Sequence, residues 1–302
     1  MITDKIKYHA RALMRKTTFL IPEKKIKCPI FILGCGRSGT SILGITLAMH
    51  SKVTFLNERR DLWFSAYPET DIWTNKAAER NGKIILTSEN TDNKKSKKLH
   101  KLFWLETIMP ERPVFIEKLP INNFRLDFIN SIFPDALYVH IYRNGLEVAK
   151  SIEKIADTGR WFGKSKDKYK WKQLVDITKK KNQHRPLSEL CTNNFEKGLL
   201  EWRLSTEATV NFLNNLPKNR FVEISYADFM SKPSEVIEGL FSFIGVDNEA
   251  EVVNFVNRNI SRRSKKIERD FITEKERIIG GDLLKISIDN KVGLSKQFMS
   301  SV

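Results

Sequence analysis

The sequence predicts an α/β protein with a P-loop-like parallel sheet flanked by helices, built as a single domain with a lysine-rich insertion. Continuous apolar runs recur along the chain, which is typical of strands buried on both faces of a parallel sheet. Helical stretches separate these runs, as right-handed crossover connections require. The first run leads into a glycine-containing turn and a helix, where parallel sheets commonly bind ligands.

The predicted strands are the apolar runs rich in β-branched and aromatic residues. They cover residues 29–33, 53–56, 83–86, 114–116, 136–142 and 220–224. The predicted helices are the stretches between them. They cover residues 40–50, 96–108, 122–133, 146–155, 195–216 and 234–244. Pro134 and Asp135 predict a turn before the fifth strand, and Gly245 predicts the stop of the last helix.

The predicted organisation is a basic extension over residues 1–28 and one domain over residues 29–302. Residues 159–190 are rich in lysine and show little periodicity, so we interpret them as an insertion that acts as a mobile lid. With 302 residues, of which 41% are hydrophobic, the chain can bury a sizeable core. It lacks an apolar run long enough to span a membrane and the apolar core of a secretory signal, so we expect a cytoplasmic protein.

The formal net charge of +16 predicts attraction to anionic cofactors, polyanions or acidic membranes. Basic residues cluster at 94–101, 164–185 and 258–269. Residues 5–20 are basic with scattered apolar side chains, so this segment could dock on the domain or contact a membrane surface. We favour docking and keep peripheral membrane contact as the alternative. The three cysteines, Cys28, Cys35 and Cys191, form neither a metal-spaced pair nor an even disulfide framework.

The turn after the first strand predicts an anion cradle. Gly34 and Gly39 have the spacing of a Walker A loop, but Thr40 stands in place of the lysine, and Arg37 supplies a cation earlier. First-turn N–H groups and the helix dipole favour anions at such a turn. Loss of the lysine argues against an ATP or GTP hydrolase. The residues expected to bind the anion are Gly36, Arg37, Ser38, Gly39, Thr40 and Ser41.

A second anion site is predicted near the middle of the chain. Arg143 ends a strand and Ser151 lies on the following helix, where the two side chains could bracket a second phosphate.

With these motifs the chain resembles the sulfotransferases that use 3′-phosphoadenosine 5′-phosphosulfate (PAPS). The matches stand in the family's order. They are residues 37–41 (R-S-G-T-S), 117–125 (E-K-L-P-I-N-N-F-R), 143–151 (R-N-G-L-E-V-A-K-S) and 224–233 (I-S-Y-A-D-F-M-S-K-P). Residues 143–151 correspond to the family's 3′-phosphate motif. Residues 117–125 resemble the signature of the branch that includes tyrosylprotein and many bacterial sulfotransferases. Ala227 departs from the family's glutamate, which makes the last match the loosest.

The resemblance implies PAPS as the donor and assigns roles to matching residues. Arg37 and Lys118 would steady the transferring group without a metal ion, and Tyr226 would contact the adenine side of the cofactor. A general base must take the proton of the acceptor hydroxyl. The family's phenol-type members use a histidine, but residues 111–125 contain none. Glu58 matches the catalytic glutamate of the tyrosylprotein-like branch.

Arg60 matches the arginine that follows that glutamate in the same branch, so we expect it to bind the acceptor. Glu117 and His140 stay open as alternative bases.

The predicted function is transfer of a sulfuryl group from PAPS to a hydroxyl of an acidic glycan or lipid, such as a glycolipid. Two alternatives are a P-loop kinase or NTPase with a degenerate Walker loop, and a non-catalytic polyanion binder. The missing loop lysine and the lack of a recognised nucleic-acid module speak against both, and we expect no nucleic-acid partner. The acceptor should be chosen by residues 63–73, residues 159–190 and the C-terminal tail.

Overall fold

The computed structural model of the protein describes residues 22, 24–108, 112–163, 168–180, 187–260 and 272–289. Within this part of the chain, five strands form one parallel sheet. They are β1 (Ile30–Leu33), β2 (Val53–Asn57), β3 (Val114–Lys118), β4 (Leu137–Tyr142) and β5 (Phe221–Ser225). The spatial order β2-β3-β1-β4-β5 places β1 in the centre. The predicted parallel sheet with flanking helices is confirmed.

Helices connect and cover the strands. They are α1 (Thr40–Leu47), α2 (Arg60–Ala66), α3 (Asn93–Ile108), α4 (Leu126–Ile132), α5 (Gly145–Ala156), α6 (Tyr169–Lys180), α7 (Leu187–Leu190), α8 (Asn194–Asn214), α9 (Tyr226–Ser231), α10 (Pro233–Ile244), α11 (Ala250–Asn259) and α12 (Glu274–Asp289). Gly245 caps α10 in the left-handed conformation with φ 75°, as predicted. In α12 the backbone is kinked at Gly281.

The core is divided by the sheet, because side chains alternate between the two faces of each strand. On one face Ile30 and Ile32 of β1 pack with Leu43 and Leu47 of α1 and with apolar residues of α9, α10 and α11. On the other face Phe31 packs with aromatic and aliphatic residues of α2, α3, α4, α5 and α8. All four residues of β1 are buried, which explains its continuous apolar run.

The strand predicted at residues 83–86 is wrong. Ile84 and Leu86 are buried and Ile85 is exposed, so the alternation is real, but the segment joins no sheet. A side chain takes the place of a neighbouring strand for two of its carbonyl groups. Arg125 donates to the carbonyl groups of Lys83 and Ile84, at 2.6 Å and 3.0 Å.

The insertion contains a helix that the sequence pattern did not predict. Residues 169–180 form α6, and residues 187–190 form the short helix α7. Leu174 and Ile177 of α6 are buried in the core. The described part of the insertion is therefore packed on the domain.

Several predicted segments lie outside the described residues. They are residues 1–21 and 23 of the basic extension, residues 164–167 and 181–186 of the insertion, residues 261–269 of the third basic cluster, and the tail from residue 290. The end of the extension is described and packs on the domain. The Ile26 N–H donates to His100 Nδ1 at 3.3 Å, and the Cys28 N–H donates to Asp135 Oδ2 at 2.7 Å.

Among the described helices, none combines the length and the apolar character that a membrane span requires.

Candidate active site

The turn between β1 and α1 is the loop predicted to hold an anion. Gly39 occupies the N-cap position of α1 with a left-handed φ of 99°. A Cβ at Gly39 would collide with the ring of Tyr226, so glycine is needed both for the backbone and for this close approach. The Ser38 N–H donates to the Cys35 carbonyl at 3.0 Å and closes the turn. Backbone geometry and packing together fix the shape of the loop.

The N-terminus of α1 directs backbone donors toward the turn. α1 begins at Thr40, and the N–H groups of its first turn have no acceptor within the helix. The helix dipole adds partial positive charge there. Ser41 is exposed at this end, whereas Ser38 and Thr40 are buried. This helix end suits anionic oxygen atoms.

Lys118 connects the loop to the predicted base. It is the last residue of β3, and its side chain is 1% exposed. Its Nζ donates to Ser41 Oγ and to Glu58 Oε1, both at 2.8 Å. A buried ammonium group needs such acceptors, because leaving it unpaired is costly. One cation therefore bridges the start of α1 and the Glu58 carboxylate.

Glu58 lies in a constrained turn after β2, with a left-handed φ of 54°. Its N–H donates to the Lys118 carbonyl at 2.8 Å, and Arg60 Nη2 lies 2.6 Å from Glu58 Oε2. Burial alone would raise the pKa of Glu58, but the ion pairs with Lys118 and Arg60 outweigh it and hold the pKa below its ordinary value. The carboxylate is therefore ionised at neutral pH.

The two alternative bases point away from this pair. Glu117 precedes Lys118 in β3 and so projects from the opposite face of the sheet. It is 1% exposed and accepts a hydrogen bond from Trp63 Nε1 at 3.0 Å. His140 is buried, and its Nδ1 lies 3.0 Å from Glu223 Oε1. The geometry favours Glu58 over both.

The residues predicted for the second phosphate lie where β4 meets α5. Asn144 caps α5 by accepting from the Leu146 N–H at 2.9 Å. Arg143 Nε donates to Glu147 Oε2 at 2.7 Å, and Ser151 follows one turn further along the same helix face. The Arg143 guanidinium lies over the ring of Tyr226, 4.2 Å from its centroid.

Arg37 belongs to this second cluster. Its Nε donates to Ser151 Oγ at 3.0 Å, and its carbonyl accepts from Arg143 Nη1 at 3.3 Å. The structure thus brings together Arg37, Arg143 and Ser151, and separately Lys118 and Glu58. A contact between Arg37 and the transferring group stays a prediction.

Two other residues of the 117–125 motif have structural roles, Asn123 at the loop and Arg125 away from it. Asn123 Oδ1 accepts from the Gly34 N–H at 3.2 Å, and Asn123 Nδ2 donates to Ser205 Oγ at 2.8 Å. Arg125 is fully buried and also donates to the Thr70 carbonyl at 2.9 Å. Asn123 therefore supports the loop, Arg125 holds the segments around residues 70 and 83–84, and neither lines the cavity.

A cavity of about 110 Å³ opens beside Glu58 and Arg60. Its other walls come from three parts of the chain. They are Trp73, the pair Pro120 and Ile121, and a group from the insertion and α8 that comprises Arg160, Trp161, Gly163, Lys170 and Glu201. A Cβ at Gly36 would lie 2.7 Å from Trp161 Cη2. The indole of Trp161 therefore packs on the anion loop while it lines the cavity.

A buried ion pair holds this wall in place. Lys170 Nζ lies 2.5 Å from Glu201 Oε1, with the side chains 2% and 6% exposed. Trp161 Nε1 donates to Glu201 Oε2 at 2.7 Å, and Lys170 Nζ lies 4.5 Å from the centroid of the Trp161 ring. Trp161 and Lys170 lie in the segment 159–190 that was expected to select the acceptor, but none of the three was singled out as a site residue. Tryptophans interspersed with lysines in the insertion were the available signal.

Comparison with known proteins identifies related folds. A family model described as "Sulfotransferase family" matches residues 29–250. The sulfotransferase domain from the curacin biosynthetic pathway is 17% identical with a TM-score of 0.51, and the match covers 76% of this chain and 77% of that one. A sulfotransferase from Mycobacterium avium is 13% identical with a TM-score of 0.51, covering 97% of this chain and 81% of that one. No curated protein sequence matches the chain.

Proposed function

The chain belongs to the sulfotransferase family, and from this premise we propose that it transfers a sulfuryl group from PAPS to a hydroxyl of a glycan or glycolipid, with Glu58 as the general base. The observation that carries the proposal is the bridge made by Lys118. Its Nζ joins Ser41 at the anion loop to the Glu58 carboxylate. In this proposal the donor site, the cation and the base would therefore adjoin one another.

The residues present fit PAPS. Glycine at 36 and 39 lets the loop backbone lie directly against the rings of Trp161 and Tyr226, where a Cβ would collide. The first turn of α1 offers N–H groups that have no acceptor within the helix. We assign the 5′-phosphosulfate to this loop, with the hydroxyls of Ser38, Thr40 and Ser41. Arg143 and Ser151 would hold the 3′-phosphate, and Tyr226 would lie on the adenine side.

When bound, PAPS supplies an activated sulfuryl group and leaves as PAP. In the overall reaction the acceptor oxygen forms a bond to sulfur, the bond from sulfur to the phosphate oxygen of PAPS breaks, and the hydroxyl proton is lost. Burial raises the pKa of Glu58, but the ion pairs with Lys118 and Arg60 outweigh it and hold the pKa below its ordinary value, so the carboxylate is ionised and free of its own proton. We assign Glu58 to accept the hydroxyl proton in this ionised form.

Lys118 is assigned to charge stabilisation. A buried ammonium in a site that excludes water interacts strongly with developing negative charge, and its position is already fixed by Ser41 and Glu58. Together with Arg37 it would make a metal ion unnecessary. That expectation remains a prediction.

The acceptor should enter through the cavity beside Glu58. Arg60 lines this cavity and contacts the base, which supports its role in acceptor binding. The indoles of Trp73 and Trp161 provide flat apolar surfaces that suit a sugar ring. The net charge of +16 suits an acidic glycan or lipid, and a place in the cytoplasm with peripheral membrane contact is part of this proposal.

The test is incubation of the purified protein with labelled PAPS and a panel of glycans and glycolipids, with PAP formation as the readout. We expect PAP formation that requires an acceptor, and its loss in Lys118→Met. Lys179→Ala, which removes an exposed cation of α6 outside the cavity, is the matched control and should behave as the wild type. A wild-type protein that does not bind PAP would contradict the proposal.

A further inference from the structure

The side-chain acceptors of the cavity beside Glu58 are already engaged. The cavity is lined by two carboxylates, those of Glu58 and Glu201. Each of their four oxygen atoms accepts from a neighbouring cation or indole, at distances between 2.5 Å and 2.8 Å. A ligand whose groups mainly donate hydrogen bonds would have to compete with these contacts.

The donors of the same cavity are not all used. Within the described part of the chain, Arg60 Nε and Trp73 Nε1 are buried and have no hydrogen-bond acceptor. The two side chains stack on each other, with Arg60 Cζ 3.9 Å from the centroid of the Trp73 ring. Buried donors are nearly always paired in folded proteins, so this pair marks a place where acceptor atoms are missing.

Arg160 adds a cation at the edge of the cavity. Its side chain is exposed, and it forms no ion pair with a carboxylate of the described residues. The lining therefore has three cations, Arg60, Arg160 and Lys170, against the two carboxylates. Lys170 is committed to Glu201, and Arg60 to Glu58. Arg160 is left to interact with a ligand.

The size of the cavity limits what enters it. Its volume of about 110 Å³ is somewhat smaller than the roughly 150 Å³ of an engineered cavity that binds benzene. About one small ring or one chain end fits between Trp73 and Trp161. The remainder of a larger acceptor would lie outside, beside Arg160.

Three observations on the described residues lead to the inference: a surplus of donors, a shortage of acceptors, and Arg160 without an ion pair among them. We infer that the acceptor carries an anionic oxygen group, a carboxylate, sulfate or phosphate, close to the reacting hydroxyl, and that Arg160 binds this group. The inference rests on the proposed function, since it concerns the acceptor of that reaction. Guanidinium suits such groups because it offers paired donors to their oxygen atoms.

The test compares matched probes that differ in one anionic group. Methyl β-D-glucuronide is compared with methyl β-D-glucoside, and 4-hydroxyphenylacetate with p-cresol. Dissociation constants are measured by ligand-observed NMR with and without PAP. In at least one pair we expect the anionic member to bind about tenfold more tightly or better, as one charge-assisted hydrogen bond allows. Arg160→Ala should abolish this preference, and Arg160→Lys should retain part of it.

Lys179→Ala, which removes an exposed cation of α6 outside the cavity, should leave the preference unchanged. The inference is overturned if neither anionic probe binds, if both members of each pair bind equally, or if the preference survives in Arg160→Ala. It is also overturned if Lys179→Ala removes the preference as fully, since the effect would then follow net charge. PAP binding, measured separately by calorimetry, reports on the proposed function itself.

Discussion

The contact between Lys118 and Glu58 sets the protonation state of the proposed base. Lys118 and Arg60 each donate to a different oxygen atom of the carboxylate. Burial raises the pKa of Glu58, but these ion pairs outweigh it, so the pKa is low and the carboxylate is ionised at neutral pH. The same low pKa makes Glu58 a weak proton acceptor. Any gain in basicity must come from rearrangement of the two cations when substrates bind.

Replacement of Glu58 by glutamine should remove the base while keeping its shape. We expect kcat to fall by about 100-fold to 10,000-fold, the usual contribution of a general base, with the affinity for PAP retained. In the wild type, activity should be lost as the pH falls through the low pKa of Glu58, so the acid limb of kcat/KM should lie below the ordinary range of a carboxyl group.

The matched control is Asp61→Asn, since Asp61 is a nearby carboxylate that pairs with Arg59 instead. It should retain transfer. A Glu58→Gln protein with normal kcat, or an acid limb near neutral pH that persists in this variant, would exclude Glu58 as the base.

Glu117 should make stability depend on pH. Burial raises its pKa to about 8, whereas an unfolded glutamate titrates near about 4.3. Between these values the folded protein binds a proton that the unfolded chain does not. The free energy of unfolding should therefore fall as the pH rises through this window. Glu117→Gln, which cannot titrate, should lose this part of the fall when melting temperatures are compared from about pH 5 to about pH 9.

The surroundings of Glu117 should tolerate glutamine. Asn122 Nδ2 donates to Glu117 Oε2 at 3.2 Å, and among the described residues the buried Asn122 Oδ1 has no donor. An amide flip of Asn122 would let it accept from the new side-chain amide. If the melting temperatures of the wild type and Glu117→Gln changed equally with pH, the assigned titration of Glu117 would be contradicted.

The sequence located individual residues well where a motif carried them, and poorly where only packing did. Lys118 and Glu58 were named from motif matches, and the structure places them in contact. Glu201 lies in the long helix α8 with no local feature that distinguishes it from a surface glutamate. Its partner Lys170 is 31 residues away, so their pairing depends on tertiary structure.

The turn between β1 and α1 depends on glycine at two levels, conformation and space. Gly39→Ala would force a side chain into a left-handed φ of 99° and against Tyr226. The strain is of order 1–3 kcal/mol, and displacement of Tyr226 would disturb the stacked Arg143. We expect PAP affinity, measured by calorimetry, to fall by about tenfold or more, since about 1.4 kcal/mol corresponds to tenfold.

Gly239→Ala is the control for this substitution. Gly239 lies within α10, and a Cβ there would meet no atom within 4 Å. Alanine should stabilise the helix by about 0.5–1 kcal/mol and leave PAP affinity unchanged. Equal effects of the two substitutions on PAP affinity would rule out a specific role for the loop conformation.

The helix α6 and the helix α8 are joined by the ion pair between Lys170 and Glu201. Lys170→Met should destabilise the protein by about 3–5 kcal/mol, because it leaves a buried carboxylate unpaired. The double variant Lys170→Met with Glu201→Gln should recover much of this loss, since glutamine keeps an acceptor for Trp161 Nε1. Urea unfolding measures both. If the loss of unfolding free energy in the double variant equalled the sum of the losses in the two single variants, the two residues would not interact.

At the level of elements, local pattern succeeded for buried strands and failed where side chains replace the usual partners. Residues 83–86 alternate as a strand does, yet two of their carbonyl groups, those of Lys83 and Ile84, accept from Arg125. The helix α6 was missed because its segment is rich in lysine, which hides the helical spacing of its buried residues Leu174 and Ile177. Neither Arg125 nor the surface that covers α6 can be foreseen from the segment itself.

The whole molecule carries a formal net charge of +16, which should speed the encounter with an anionic donor. The association rate constant of PAP, measured by stopped flow, should fall as salt shortens the screening length from about 30 Å at 0.01 M to about 10 Å at 0.1 M. Binding of the neutral p-cresol should be insensitive over the same range. A PAP association rate independent of salt would exclude steering.

At this scale the sequence predicted the fold class and the family. The parallel sheet is observed, and the family match over residues 29–250 decides for a sulfotransferase over a P-loop kinase. The two predictions succeeded because they used several motifs in a fixed order along the chain, and that order does not depend on the details of any one segment. The acceptor cavity was not foreseen in detail because its walls come from distant segments, those around Trp73, Pro120, Trp161 and Glu201.

The central position of β1 has a consequence for biosynthesis. Of the five described strands β1 leaves the ribosome first, yet its ladder partners are β3 and β4, which follow more than 80 residues later. Its register with Ile116 and Leu137 cannot form until those residues have emerged. At synthesis rates of about 5–20 residues per second, β1 therefore stays without these two ladder partners for several seconds. During this interval the four apolar residues of β1 are a binding site for a chaperone.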